Sequence, residues 1–269
     1  MLAYERFGTG EPLVLVHGIS HRRQAWYPVA QQLAEHREVI LFDLPGHGES
    51  PPLVADDRSV KDVLQDQLLE LFFELDLQRP HIAGNSLGGR IALEAAADGL
   101  VSSATGLSPA GFWKGDLDFL YVRAHFAALQ GSARLIGPAA TRLARSATGR
   151  KLMLASLMTH GERVAADHLV EDLKYMVAAR PALKRIFKEG VPFERELAED
   201  IPVTIAWGTK DRVLLPYQGH RARAQLPGAE HVWLEGSGHV PMSDDAERVV
   251  DVLLRGSSHG LRSGVADVA

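Results

Sequence analysis

Gly84-Asn85-Ser86-Leu87-Gly88 decides how this chain is read. The pentapeptide follows the short apolar run His81-Ile82-Ala83 and opens an alanine-rich helical stretch from Leu87 to Ala97. As a bare pattern, Gly-x-Ser-x-Gly arises by chance in on the order of one chain in ten of this length, so the setting carries the weight. A serine on a sharp strand-to-helix turn has unfavourable dihedrals, and glycines two before and two after leave room for neighbouring backbone. Such a turn lifts the hydroxyl clear of the sheet and sets it at a helix N-terminus. There the free N–H groups and the helix dipole favour developing negative charge. The plainer reading is a glycine-rich helix start with an N-capping serine; the strand–turn–helix context favours the reactive turn.

Outward from this turn, strand and helix patterns alternate. Leu13–Val16 and Val39–Phe42 are short apolar runs of the kind buried on both faces of a parallel sheet, and Ala104–Leu107 is a weaker one. Gln24–Glu35 and Val60–Leu75 have helical periodicity. The alternation resumes with strand Val203–Trp207, helix Tyr217–Gln225, strand His231–Leu234 and helix Asp244–Leu254, and the chain from Ser257 onward reads as a frayed tail. This order predicts an α/β fold with a mostly parallel, doubly wound sheet. No convincing strand appears from Gly111 to about Glu196, where Ala133–Arg150, Val164–Ala178 and Pro181–Lys188 look helical. The expected domains are therefore a core of residues 1–110 and 197–269 and a helical insertion of residues 111–196.

Composition bounds the chemistry. The 269 residues are 46% hydrophobic and 23% charged, enough for a substantial core without metals or disulfides. There is no cysteine, which excludes a disulfide framework, a thiolate metal site and a cysteine nucleophile. The net charge of -5 and the absence of a basic block speak against nucleic acid as a partner. Met1-Leu2-Ala3-Tyr4-Glu5-Arg6 lacks a charged-then-apolar signal pattern, and Pro12–Val16 is too short to span a bilayer. The expectation is a cytoplasmic protein without stable membrane insertion that acts on a small-molecule substrate with neither metal nor cofactor.

A serine nucleophile needs a general base, because its hydroxyl is hardly ionised at neutral pH. Of twelve histidines, His239 stands out. It lies in Gly236-Ser237-Gly238-His239, after the last predicted strand, at the sheet edge where ligands bind in open parallel sheets. His17 and His21 share that edge and are intermediate candidates, whereas His36, His81, His125, His160, His168, His220, His231 and His259 read as ordinary structural or surface histidines. Asp211, in Trp207-Gly208-Thr209-Lys210-Asp211, is the candidate acid. Asp43 also follows a strand but precedes the serine; Asp211 gives the order serine, acid, histidine expected of this architecture. Asp116 and Asp118 are the remaining acids considered for that role. The oxyanion of an acyl-transfer intermediate needs two N–H donors, and the backbones of Leu87 and Ile19 are placed to supply them.

On these residues the chain resembles the α/β-hydrolase superfamily, in its large group of cap-bearing esterases and related hydrolases. The resemblance runs from about Tyr4 to Leu254 and rests on His17-Gly18, Asp43-Leu44-Pro45-Gly46-His47-Gly48-Glu49-Ser50, Gly-Asn-Ser-Leu-Gly-Gly, Trp-Gly-x-x-Asp and Gly-x-Gly-His. It implies Ser86 as nucleophile, Asp211 as acid, His239 as base, Ile19 and Leu87 as oxyanion donors, and residues 111–196 as a cap over the site. The family usually starts with two antiparallel strands, of which only Ala3–Phe7 is available here. Serine at the turn, where haloalkane dehalogenases and epoxide hydrolases of this fold carry aspartate, disfavours those two activities.

Phe112, Trp113, Phe119, Tyr121, Phe126, Met153, Met158, Tyr175, Met176, Phe187 and Phe193 make the insertion rich in large apolar side chains. Most such residues pack an insertion onto its core; an apolar pocket among them would suit an acyl or aryl group. Arg134, Arg142, Arg145, Arg150 and Lys151 read as a solvated helix face. The first expectation is a carboxylic-ester hydrolase. The alternatives are a carbon–carbon bond hydrolase of vinylogous diketone ring-cleavage products, which resembles this chain at Gly-Asn-Ser-x-Gly-Gly, and a ligand-binding receptor that keeps the fold and its triad. A perhydrolase or cofactor-free oxygenase of the same fold ranks below these.

Overall fold

Two buried apolar strands set the frame. Leu13–Val16 and Val39–Phe42 are almost fully removed from water, and each lies inside a seven-stranded sheet. The computed structural model describes residues 1–54 and 57–258. Its strands are β1 (Tyr4–Gly8), β2 (Pro12–Val16), β3 (Glu38–Phe42), β4 (His81–Asn85), β5 (Ser103–Leu107), β6 (Val203–Gly208) and β7 (Glu230–Leu234). They lie in the order β1-β3-β2-β4-β5-β6-β7. β1 is antiparallel to β3, and every other pairing is parallel. The chain leaves β2 toward β3 on one side and β4 pairs on the other, so the sequence order reverses at β2. The loops after β2 and β4 therefore flank a crevice at the carboxyl edge, where open α/β sheets bind ligands. One antiparallel strand is present at the N-terminus, as the sequence suggested.

The helices of the frame are α1 (Tyr27–Ala34), α2 (Val60–Glu74), α3 (Leu87–Ala97), α8 (Pro216–Gln225), α9 (Pro241–Asp244) and α10 (Ala246–Gly256). The predicted helix Gln24–Glu35 begins as a 3-10 turn over Arg23–Trp26. The predicted final helix breaks at Asp245, whose side chain accepts the Arg248 N–H and caps α10. Between β5 and β6 come α4 (Asp116–Ala144), α5 (Ala147–Leu154), α6 (Ala166–Ala178) and α7 (Arg180–Ile186). The helical character of this segment matches expectation, but two boundaries do not. α4 starts 17 residues before the predicted Ala133, and the predicted helix Ala133–Arg150 is interrupted at Ser146, which caps α5 by accepting the Gly149 N–H.

The predicted frayed tail also needs correction at its start. Arg37, nearly buried, donates to Ser257 Oγ and O and to Ser258 Oγ, which ties both serines to the start of β3. His259 and the rest of the tail lie outside the described residues.

The segment Asp43–Ser50 is organised by one buried carboxylate. Asp43 accepts the Arg23 N–H at 2.7 Å, an Arg23 guanidinium N–H at 2.5 Å and the Glu49 N–H at 2.9 Å. Gly48 has φ +48°, and a Cβ there would stand 2.2 Å from the Asp43 carboxyl group, so the motif requires glycine at this turn. His17 and His47 fill the space behind it, with ring centroids 5.4 Å apart. His17 Nε2 accepts the Leu44 N–H and Nδ1 donates to Gly18 O, which commits that ring to loop structure in its neutral form. Burial holds the His17 pKa well below the ordinary value, and burial lowers His47 to about 4.

These neutral histidines make stability depend on acid. His47 protonates near pH 6.5 when unfolded but only near 4 when folded, so its contribution is complete above about 6.5 and is lost as pH falls through the folded value. The melting temperature is expected to fall between pH 7 and pH 4, by a loss on the order of 3 kcal/mol for this group alone. His47→Gln should flatten that limb, and an unchanged limb in the variant would remove His47 as its source.

Candidate active site

Ser86 stands between β4 and α3 with φ 57° and ψ −113°, a left-handed conformation that a serine adopts only under constraint. Hydrogen bonds clamp it on both sides. Ser86 N donates to Leu107 O at 3.0 Å, and Ser86 O accepts the Arg90 and Ala110 N–H groups at 3.0 Å. The two glycines of the motif are explained by contact. A Cβ on Gly84 would lie 2.1 Å from the Gly88 carbonyl, and one on Gly88 would lie 2.0 Å from Val16 O. Backbone meets backbone at both positions, so α3 can begin directly against β2 and β4 with its N-terminus at the crevice.

Asp211 and His239 arrive from the loops after β6 and β7. The Asp211 carboxylate is buried; its Oδ1 accepts the Val213 and Leu214 N–H groups at 2.8 and 2.9 Å, and its Oδ2 accepts His239 Nδ1–H at 2.8 Å. This fixes the imidazole ring and directs its proton to Nδ1, leaving Nε2 as the basic nitrogen. His239 Nε2 is buried and has no hydrogen-bond partner among the described residues. Asn85, next to Ser86, donates from Nδ2 to His239 O at 2.8 Å and to Leu107 O at 3.1 Å, which couples the histidine loop to the turn. Behind the loop, Asp244 accepts the Gly238, Thr159 and His160 N–H groups.

The loop after β2 lies against the serine, since a Cβ on Gly18 would be 3.3 Å from Ser86 Cβ. Among the described residues neither the Ile19 nor the Leu87 N–H has a protein acceptor, and both residues border the same cavity as Ser86. That cavity has a volume of about 420 Å³. Its roof comes from Trp113, Phe119, Val122 and Phe126 of the insertion and from Ile186 and Phe187 at the end of α7. The tip of the Phe119 ring abuts Gly190, where any side chain would collide with it. Of the other large apolar residues singled out in the insertion, Phe112 and Phe193 pack together and Phe112 meets Trp207 beneath the sheet edge.

The remaining candidates separate from the site. His21 Nδ1 accepts the Arg22 N–H, and burial lowers its pKa. Arg22 itself is buried, pairs with Asp172 of α6 at 2.6 Å and lies over the Tyr175 ring, fastening the β2 loop to the insertion. Asp43 belongs to the loop network above. Asp116 and Asp118 form the first turn of α4, where Asp118 accepts the Lys114 N–H and hydrogen-bonds Tyr217. Among the described residues no group of three His, Cys, Asp or Glu side chains could hold a metal, and no helix is long and apolar enough to cross a membrane.

Two features escaped the sequence reading. His125 on α4 reads in the sequence as an ordinary histidine, yet burial lowers its pKa, it feels the charges of both His239 and Asp211, and its Nε2 is enclosed without a partner among the described residues. No local signal separates it from other helical histidines. Arg90 and Glu94 border the cavity as well, and here a signal existed: they fall one and two helical turns after Ser86.

A family model described as "Alpha/beta hydrolase family" matches residues 13–252. An uncharacterized protein of Mycobacterium tuberculosis is 32% identical over 273 residues, covering 94% of this chain and 77% of that protein. Lipase 1 of Psychrobacter immobilis is 29% identical over 252 residues, covering 90% of this chain and 75% of the lipase. A solved structure of a putative lipase from Acinetobacter baumannii AYE superposes with a TM-score of 0.75 at 24% identity, over 94% of this chain and 86% of that one, which shows a shared fold.

The packing of the turn yields a stability prediction. Gly88→Ala places a methyl group into the Val16 carbonyl and should destabilise the protein by more than about 3 kcal/mol in urea unfolding. Gly228→Ala, with nothing within 4 Å of the added methyl, should change stability by less than about 1 kcal/mol. Equal effects of the two would contradict the contact described.

Proposed function

The chain belongs to the alpha/beta hydrolase family, and on that premise we propose that it is a serine hydrolase cleaving a small to medium, largely apolar carboxylic ester through an acyl-enzyme. The observation that carries this reading is the state of His239: Asp211 holds Nδ1 at 2.8 Å, while Nε2 is buried, unpartnered and coupled through Asn85 to the strained serine. In this proposal Ser86 Oγ attacks the ester carbonyl and His239 Nε2 takes its proton. The oxyanion is held by the Ile19 and Leu87 N–H groups, which need no rearrangement to meet it. Collapse breaks the bond to the alcohol, and the proton on His239 goes to the departing oxygen. Water then attacks the acyl-enzyme with His239 again as base, releasing the acid and free Ser86. Asp211 stabilises the imidazolium formed in each half. Residues 111–196 act as the cap that roofs the substrate.

The apolar cavity supports an ester over a ring-cleavage product. Substrates of the carbon–carbon bond hydrolases are anionic acids, which would need a free cation near Ser86. The cations bordering the cavity, Arg90 and Lys61, are both engaged by Glu94. The name of the Psychrobacter relative, a lipase, points the same way. Repeated turnover of a chromogenic ester separates an enzyme from a receptor of this fold.

Steady-state kinetics on one good ester test the proposal. Ser86→Ala is expected to lose on the order of a millionfold in kcat with its fold intact. Asp211→Asn should lose roughly a hundredfold to ten-thousandfold, chiefly in kcat, because an amide favours the wrong imidazole tautomer. Asp118→Asn should keep close to wild-type kcat. Retention of more than a few per cent of the rate by Ser86→Ala would exclude it as nucleophile.

A further inference from the structure

The cavity beside Ser86 has a direction. Leu87, Ile91 and Ala95 border it from α3, and Val60, Leu64 and Leu68 border it from α2. Each set is spaced i, i+4, i+8, so each lies along one face of its helix. From Leu87 to Ala95 the helix rises about 12 Å. Beneath the roof, the cavity therefore extends from the serine along α3 and α2. Ala95 and Leu68, each 2% exposed, are the lining residues farthest along the two helices from Leu87 and Val60.

The walls also say what sign of charge the channel accepts. Its flank carries Lys61, Arg90 and Glu94, but these charges are spent on one another and on the backbone. Arg90 donates to Glu94 Oε1 at 2.7 Å and to the carbonyls of Val191 and Pro192; Lys61 and Arg195 pair with Glu94 Oε2 at 3.1 and 3.3 Å. Beside Leu68 and Ala95 the lining carries Gln65 and Glu94, and among the described residues no cation there is left without an acidic partner. A carboxylate carried there would be buried without a partner, at high cost.

Building on the ester-hydrolase reading, we propose that this channel is the acyl site and that it selects an unbranched, uncharged alkyl chain of about eight to ten carbons, with Ala95 and Leu68 setting the length. Extended C–C bonds advance roughly 1.25 Å each, so about 12 Å takes nine or ten of them. Each further methylene that enters the channel should raise affinity about fourfold, until the end is reached.

Two series read this out on the intact protein. The first is kcat/KM for p-nitrophenyl esters of straight-chain acids from acetate to myristate. The second is calorimetric binding of the free n-alkanoates of the same lengths, which requires no turnover. Both should peak at about eight to ten carbons. A half-ester of an α,ω-dicarboxylic acid of matching length should react at least about tenfold more slowly. Ala95→Leu fills the end and should move both optima at least two carbons shorter, whereas Leu68→Ala opens it and should move them longer; opposite shifts cannot come from partial unfolding. Ester turnover with a flat length profile, or optima that neither variant moves, would overturn the channel while leaving the hydrolase reading intact. Alkanoate binding that peaks and shifts as described, without turnover of any ester, would uphold the channel and refute that reading instead.

Discussion

The contact between the start of α3 and the carboxyl ends of β2 and β4 is the constraint on which the site depends. Gly88 rests on Val16 O and Gly84 on the Gly88 carbonyl, with no space for even a methyl group at either. That closeness forces Ser86 into positive φ, and its hydrogen bond to Leu107 O and those it accepts from the Arg90 and Ala110 N–H groups hold it there. Strain of this kind costs of order 1–3 kcal/mol and persists only where the surroundings over-determine it. Here the return is a hydroxyl at the N-terminus of a helix, with free N–H groups beside it and the β2 loop against its Cβ.

A second level of organisation surrounds that turn. Three of the loops at the carboxyl edge are each fixed by a buried acceptor that binds several backbone N–H groups: Asp43 after β3, Asp211 after β6 and Asp244 behind the β7 loop. These carboxylates let irregular backbone be buried without orphaned donors. Asp211 differs from the other two in one respect. Its second oxygen accepts from an imidazole, that of His239, whose far nitrogen has no partner among the described residues. His17 is committed to its own loop by its hydrogen bonds to Gly18 and Leu44, whereas the Nε2 of His239 has no partner among the described residues.

How much of this the sequence disclosed follows from the range of the interactions. The turn, the strand-end acid and the loop histidine were legible because each lies in a short motif whose glycines answer to local backbone geometry. The parallel sheet was legible because both faces of Leu13–Val16 and Val39–Phe42 are buried and leave a continuous apolar run. The insertion was readable as helical but not in its boundaries: the first half of α4 carries its apolar residues toward the cavity and also exposes Leu117 and Leu120, which blurs the period. The anchoring of Ser257 and Ser258 depends on Arg37, 220 residues away, and no local pattern announces it. His125 was missed for the same reason. It comes within reach of the charges of His239 and Asp211 only because α4 folds back over the sheet edge.

The account stands or falls on whether Ser86 is an activated nucleophile in this setting. The most direct measurement is reaction with a fluorophosphonate, followed by intact mass and peptide mapping. The reagent needs an activated serine and an oxyanion site, and nothing else. The account predicts one adduct per chain, on Ser86, formed at the same rate with or without chelator, absent in Ser86→Ala and strongly slowed in His239→Ala. An adduct on any other residue, or equal labelling of the Ser86→Ala protein, would contradict it.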